Sequence, residues 1–423
     1  MSEHSTLCIN NYEVETFQNS IGWACELFTE NDFIESVQLY EEDDAPSPVY
    51  QYVTTAANLT DRLEVLGFTL KRVQRVFEEG KIQVIKKAEE LHSEFGFTDS
   101  ENTWETPPFA PSKILTEFYS NYTFEYWVKL INKVLTRKLR RFSIYRNSHK
   151  SRQEKIKKQN PHLYHILERQ EDLPFGFPAF DPFCLYRGML EAIKPNTSVV
   201  LDFSNLVGFV EQYNYMCEPP KTIILTEGSS DKRILEESLQ ILYPHLFDYF
   251  SFIDFDLANM PGSTGHLLNI IKAFVATGVE RKTIALFDND TAGLDALRQL
   301  ANVPLPENMR IISLPNLDFA KKYPTIGPQG QIDIDINGLA CSIELYLGQN
   351  ILVDENKKFM PIRWGGYMAG AKKYHGEITN KSKIQNEYIK LLSKIRANSK
   401  LIKKHDWSGI HSIFQNIFDA FNE

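Results

Sequence analysis

Apolar side chains recur at helical spacing through residues 50–95, where Leu63, Leu66, Leu70, Val73, Val76 and Phe77 line one face. Gly67 interrupts that run, and Thr69 is placed to cap the helix that follows. Residues 103–113 (TWETPPFAPSK) predict a loop, because each proline fixes φ and removes an amide donor. Residues 114–170 predict one or two long helices. Ahead of all these, residues 1–35 are a short mixed segment with scattered aromatics, and Glu41–Asp44 followed by APSP is an acidic, proline-broken loop. A proline- and aromatic-rich stretch, 171–198, leads to Ser198-Val-Val-Leu-Asp202-Phe, which reads as a strand. Glu218-Pro-Pro220 is a break and marks the main domain boundary.

Beyond the break the pattern changes. Thr222–Thr226, Phe250–Phe255, Lys282–Asp288 and Arg310–Leu314 are compact, β-rich runs. Between them lie helical stretches at Ser230–Tyr243, Gly265–Gly278 and Thr291–Leu300, the second closed by its glycine. Short strands alternating with helices of this length predict a parallel sheet with helices packed on it. Such sheets bind ligands outside the carboxyl ends of their strands.

The acids fall at those ends. Glu227 directly follows the first strand in TEGSSDKRIL, and Asp288 and Asp290 close the third in ALFDNDTAG. Residues two apart in extended backbone face the same side, so Asp288 and Asp290 are expected to face one ion from a solvent-facing strand end. Truncating either is therefore expected to leave the fold intact. Asp231 lies one helical turn past Glu227. Carboxylates suit Mg²⁺, a hard cation that prefers oxygen and keeps several waters. Such ions activate water and stabilise the leaving oxygen of a phosphodiester. Gly228 lets backbone approach closely, and Gly293 lets the turn after Asp290 bend.

Length and charge bound the reading. The chain has 423 residues, enough for two or three domains. Its net charge of −9 argues against a polyanion binder acting through bulk charge. A local basic run, Lys133 to Lys158, nevertheless concentrates Arg137, Lys138, Arg140, Arg141, Arg146, Lys150 and Arg152, with Phe142 and Tyr145 interleaved. It fits either a phosphate-tracking surface or a solvated helix face. The five cysteines, Cys8, Cys25, Cys184, Cys217 and Cys341, form no C-x-x-C pair, which fits a reducing cytoplasm with neither disulfides nor zinc. Neither a signal peptide nor a transmembrane run is expected. There is no G-x-x-x-x-G-K-[ST]. Gly262-Ser-Thr-Gly265 reads as a helix-capping turn or a phosphate nest. His149, His162 and His165 do not read as a metal triad, because they sit in a lysine-rich segment without nearby acids.

The strand-Glu227-Gly228 and Asp288-Asn-Asp290 motifs resemble those of a Toprim domain, and E-G-x-x-D through Asp231 is similar to the OLD-type nucleases. The resemblance implies an α/β Toprim C-terminal domain, a Rossmann-like parallel sheet, with Glu227, Asp231, Asp288, Asp290 and a downstream acid, Glu344, holding Mg²⁺ or Mn²⁺, two ions in all. It implies that Glu227 is also catalytic and that a lysine, Lys381 or Lys383, assists at the scissile phosphate. The upstream half resembles HEPN/Toprim-associated bacterial proteins, through Thr60-Asp-Arg-Leu and Val199–Phe203, and a mainly α-helical N-terminal domain is expected. It lacks the R-x(4–6)-H motif of HEPN ribonucleases, since seven residues separate Arg141 from His149. The domains expected are 1–218, 219–350 as the catalytic domain, and a helical extension over 351–423. The function expected is a Mg²⁺-dependent nuclease acting on DNA or RNA in anti-phage defence, with a non-catalytic binding module as the alternative. A topoisomerase or primase fragment is disfavoured, as no nucleophilic tyrosine partner domain or polymerising framework is seen. The partners expected are nucleic acid, a separate ATPase or defence-system chain, and a second copy in a homodimer, with no membrane.

Overall fold

The computed structural model describes residues 3–38, 47–95, 112–142, 150–168, 173–209, 217–253, 262–328 and 330–422. The acidic loop Glu41–Asp44, most of the 103–113 loop, Arg146 and His149 lie outside them. The chain divides into two compact units, Met1–Pro219 with the two C-terminal residues, and Pro220–Phe421.

The first unit has the expected helices, and beside them a five-stranded antiparallel sheet that the helical expectation did not include. Strands β1 (His4–Ile9) and β2 (Tyr12–Gln18) form a hairpin. Asn10 and Asn11 join them with φ of 54° and 53°, the left-handed pair that matches strand twist in a two-residue turn. Strands β3 (Phe33–Gln38) and β4 (Ser47–Thr55) form a second hairpin. Helices α1 (Ala56–Val65), α2 (Leu70–Phe95), α3 (Ser112–Ser120), α4 (Phe124–Arg137), α5 (Lys150–Gln159), α6 (Pro161–Leu167) and α7 (Pro182–Leu190) follow. Strand β5 (Ser198–Asp202) returns to the middle, giving the order β2-β1-β5-β4-β3. The sheet cannot be read locally, because β1 and β2 are short and β5, which pairs with β1, follows only after helices α1 to α7.

Caps set the helix starts. Thr55, Thr123, Asn160 and Asp181 each accept an amide of the first turn of α1, α4, α6 and α7. Thr69 does the same for α2 through Arg72 N at 3.2 Å. Leu63, Val73 and Phe77, three of the periodic residues, are fully buried with Trp127, Phe177, Leu7 and Leu201 in one core.

His165 is wholly buried in that core, and neither ring nitrogen has a hydrogen-bond partner among the described residues. Burial, with a smaller push from His162, lowers its pKa to about 3. His162, half-buried, instead donates to Phe118 O at 2.9 Å and stacks on Tyr122, so both rings are accounted for by packing. A linkage follows. Below pH 6.5 the unfolded chain binds a proton at residue 165 that the folded chain refuses, until about pH 3. Stability conferred by the neutral ring is therefore present above pH 6.5 and falls by about 1.4 kcal/mol per unit below it. Unfolding free energies of wild type and His165→Leu from urea titrations should diverge by about 2 kcal/mol between pH 7 and 5, the variant being less acid-sensitive; parallel profiles would refute this.

The second unit opens with a four-stranded, fully parallel sheet. Strand β6 (Thr222–Leu225) leads through α8 (Ser229–Leu242) to β7 (Phe250–Phe252), and α9 (Thr264–Thr277) leads to β8 (Thr283–Phe287). A two-residue strand β9 (Asn289–Asp290), helix α10 (Thr291–Leu300) and β10 (Met309–Ser313) complete the order β10-β8-β6-β7. All five residues of β8 are buried, as a strand covered on both faces requires. Leu225, Ala285 and Phe287 pack there against Leu267 and Ile271 of α9 and Ala296 and Leu300 of α10. Gly278 closes α9 with φ of 65°.

The rest of the chain belongs to the same unit. Strands β11 (Tyr323–Gly327) and β12 (Gly330–Ile334) precede β13 (Ala340–Cys341), which pairs with β9. Strands β14 (Ile362–Met368) and β15 (Lys373–Ile378) complete a second sheet in the order β12-β11-β14-β15, before helices α11 (Lys381–Ala397) and α12 (Ser408–Phe418). Residues 351–423 are thus no purely helical extension. Their first part is a hairpin whose β14 extends the sheet begun by β11. No helix among the described residues is long and apolar enough to cross a membrane.

Candidate metal centre

The site forms at the carboxyl ends of β6 and β8, adjacent parallel strands. Glu227 sits in the turn between β6 and α8, and its two oxygens are held separately. The Thr264 hydroxyl donates to Oε2 at 2.5 Å, and the Asp288 backbone N–H donates to Oε1 at 2.9 Å. The second bond ties the end of β8 directly to the end of β6. A Cβ on Gly262 would stand only 3.0 Å from the Glu227 carbonyl and the Gly228 Cα, so glycine is what lets the chain entering α9 lie on this turn. The GSTG segment is a capping turn, in which Ser263 accepts the His266 amide at 3.2 Å. Its Thr264 is the side chain that reaches the acid.

Asp288 is half-buried just past β8, and its carboxyl feels the charges of the other four acids. Burial, then repulsion from Asp231, Glu227, Asp290 and Glu344 in that order, pushes it well above the usual carboxylate range. Asp231, in the first turn of α8, rises to about 7 through burial and the charge of Glu344, with Lys381 opposing the shift. Burial raises Glu227 too, against its two hydrogen bonds. Five carboxylates therefore share one field, although their sequence positions span 227 to 344.

Glu344 is fully buried in the short 3-10 turn Ile343–Tyr346. The Ser342 hydroxyl donates to its Oε2 at 2.5 Å, Gln385 donates to Oε1 at 2.6 Å, and Lys381 Nζ stands 3.5 Å from Oε1. Burial works to lower the Lys381 ammonium, but the charges of Glu344, Asp288, Asp231 and Glu377 outweigh it and hold its pKa above the ordinary value. Lys381 thus faces the acids, whereas Lys383, two positions along α11, is exposed. The alternation along one helix separates two lysines that the sequence left equivalent.

Asp290 departs from its expected setting. It is buried rather than solvent-facing, and it is the N-cap of α10, its Oδ1 accepting Gly293 N–H at 2.7 Å. Its other oxygen faces His375 Nδ1 at 3.6 Å. Gly293 is required less for bending than for closeness, since a Cβ there would overlap the Asp288 carbonyl oxygen. Truncation at Asp290 accordingly has a structural cost. Asp290→Ala should lower stability by about 1 kcal/mol through loss of the cap, while Asp290→Asn keeps the acceptor and the stability; equal urea midpoints for the two variants would rule out the capping role.

Four contributors escaped the sequence reading. Ser342 and Gln385 lie at close spacing to Glu344 and Lys381, and that spacing was readable. Thr264 and His375 reach the site only through tertiary packing: Thr264 lies in the GSTG turn, which by itself points to a cap or a phosphate nest, and nothing local marks His375. Among the described residues no three His, Cys, Asp or Glu side chains are already gathered to hold a metal ion. Glu227 is turned to Thr264 and the Asp288 amide, and Asp290 to its helix, which accounts for the spread. The donor set itself is all hard oxygen, in a place where positive charge would relieve repulsion.

The basic run lies in the other unit. Arg137, Lys138, Arg140 and Arg152 are exposed, and Lys138 ends α4 in the left-handed conformation with φ of 49°. Arg141 is half-buried, its guanidinium 4.3 Å from the Phe175 ring centroid. Arg146 and the Lys150 side chain are outside the described residues. The family model described as HEPN/Toprim N-terminal domain 1 matches residues 1–217, just over half of the chain and nearly all of the first unit. Comparison with curated proteins and with solved structures gives no match. On the strength of that match the chain belongs to the HEPN/Toprim N-terminal domain 1 family.

Proposed function

We propose that the Pro220–Phe421 unit is a Toprim-type, Mg²⁺- or Mn²⁺-dependent nuclease that hydrolyses phosphodiester bonds in DNA or RNA. The observation that carries this is the convergence of Glu227, Asp231, Asp288, Asp290 and Glu344 on one field with Lys381 beside them, at the carboxyl ends of adjacent parallel strands. The family name, which links the chain to nuclease-related modules, supports it. Asp288, Asp231 and Glu227 are the residues that would hold the ions, with Glu344 and Asp290 at the flanks. Bound there, the metal supplies Lewis acidity and a water of lowered pKa. The chain's own groups do the rest. Lys381, kept charged by its neighbours, sets a cation where a phosphate oxygen gathers charge. Ser342 and Gln385 fix Glu344, and through it the ammonium. Thr264 and the Asp288 amide hold Glu227 at fixed reach. The resemblance to HEPN/Toprim-associated proteins extends the proposal to bacterial defence against phage, with nucleic acid tracked by the basic run and a separate ATPase or defence chain or a second copy as partner.

Incubation of the purified chain with plasmid, single-stranded DNA and transfer RNA, with Mg²⁺, Mn²⁺ or chelator, tests the reading. Cleavage of at least one substrate that chelator abolishes is the expected result. Glu227→Gln keeps size and hydrogen bonding, loses the charge, and should cost about a hundredfold in rate, the lower range for a positioned acid–base group. A fully active variant would sink the mechanism. One observation favours a second reading, a nucleic-acid-binding module without cleavage: the acids are not pre-gathered into a three-ligand set. It predicts no cleavage by wild type and slightly tighter metal-free binding when Glu227 loses its charge.

A further inference from the structure

We propose that the first unit binds a guanine nucleotide in the cleft beside edge strand β2. The cleft has a volume of about 630 Å³, within the range of small-molecule sites, and Glu15, Trp23, Arg140, Arg141 and Phe180 are among its lining residues. All of them lie in the Met1–Pro219 unit, so the inference stands without the metal centre.

Two aromatic rings are displayed there. Trp23 is 41% exposed and Phe180 74% exposed. Trp23 is nonetheless fixed, edge-on to Phe17 at 5.1 Å between centroids, with its indole N–H donating to the Tyr186 hydroxyl at 3.1 Å. A fixed ring and an accessible ring in one cleft suit a planar, stacking ligand.

Charged groups of both signs complete it, and most are already engaged. Asp181 accepts the Cys184 amide at 2.9 Å, and Glu13 accepts the Thr16 hydroxyl at 3.0 Å. Arg141 lies over Phe175. Two groups are left over. Arg140 is exposed and has no hydrogen bond or ion pair among the described residues, and its planar fork matches phosphate oxygens. Glu15 takes the Tyr186 hydroxyl on Oε2, while Oε1 has no donor among the described residues. A carboxylate is acceptor-only and each of its oxygens takes two donors, so Oε1 with the remaining lone pair of Oε2 selects a base that presents adjacent N–H groups. Guanine does so through N1–H and its exocyclic amine, whereas adenine and cytosine offer one amine and uracil one imino group. Rings for the base plane, Glu15 for its donor edge and Arg140 for the phosphate together define a guanine nucleotide, free or as one residue of a strand.

Calorimetric titration of the full chain with GMP, AMP, guanosine, inorganic phosphate and a 5′-phosphorylated oligothymidylate carrying one guanine tests this. GMP should bind, with AMP, guanosine and phosphate each at least tenfold weaker. Phe180→Ala and Arg140→Gln, both at exposed positions, should each weaken GMP at least fivefold with unchanged thermal unfolding. Glu15→Gln should erase the preference for GMP over AMP. An oligonucleotide that binds tighter than GMP assigns the cleft to a strand residue, and one that does not assigns it to the free nucleotide; both uphold the proposal. No GMP binding at millimolar concentration, equal affinity for AMP and GMP, or wild-type affinity in the Phe180 and Arg140 variants would overturn it.

Discussion

Asp288→Asn should cut metal-dependent cleavage at least about a thousandfold, ~4 kcal/mol of transition-state stabilisation, and at the same time make the metal-free protein more stable. The two effects share one origin. The Asp288 carboxyl is forced up by burial and by the charges of Asp231, Glu227, Asp290 and Glu344. An acid whose folded pKa exceeds its unfolded value weakens the fold progressively as pH rises above the unfolded value, because the unfolded chain ionises freely and the folded one does not. Asparagine keeps the shape and removes that cost. The stability gain should therefore be absent near pH 4 and grow toward pH 8. Mg²⁺ should reverse the order: it stabilises the wild type by binding the folded form and leaves the variant nearly unchanged. Thermal melts of both proteins at several pH values, with Mg²⁺ and with chelator, read all of this. A variant that melts lower without metal, or that gains as much from Mg²⁺ as wild type, contradicts the assignment of Asp288 to an ion.

The second large effect lies in the first unit and concerns stability alone. Arg62, in α1, is 1% exposed and grips Asp32 through Nη1 at 2.6 Å and Nη2 at 3.1 Å. Nη1 also donates to Leu27 O at 3.0 Å, and the Thr29 amide donates to Asp32 at 2.9 Å. The pair thus pins the chain before β3 to α1. Asp32→Ala leaves a guanidinium buried without its counter-charge, which costs about 3–5 kcal/mol. The double change Asp32→Leu with Arg62→Met removes both charges and should recover most of that loss, since a desolvated ion pair is worth little more than apolar side chains of like volume. Denaturant midpoints for the single and double variants decide it. A single variant within about 1 kcal/mol of wild type would mean that Arg62 finds water or another acceptor.

The sequence reading and the structure agree where physics is local. The helix over 291–300 begins and ends as read, because a capping acid, an apolar stripe and a strand on each side all act within a few residues of one another. The parallel strands from Thr222 to Ser313 were legible for the same reason, each being a short apolar run flanked by turn residues. The N-terminal sheet was not. Its edge hairpin shows only a weak alternation, and its central strand waits until Ser198. Pairing at that separation is set by how the intervening helices pack around Phe77 and Trp127, which no local pattern encodes.

At the candidate centre the division falls differently. The sequence by itself determined that Glu227, Asp288 and Asp290 stand at strand ends, since a side chain following a strand must emerge at the edge of the sheet. It also determined the hard-oxygen character of the site. Only the tertiary structure decided that Glu344 joins them and that Lys381 and not Lys383 faces them. Those outcomes depend on which face of α11 packs inward and on where the short turn carrying Glu344 docks beside the strand ends. Both are settled by packing between elements far apart in the chain, where period and motif carry no information.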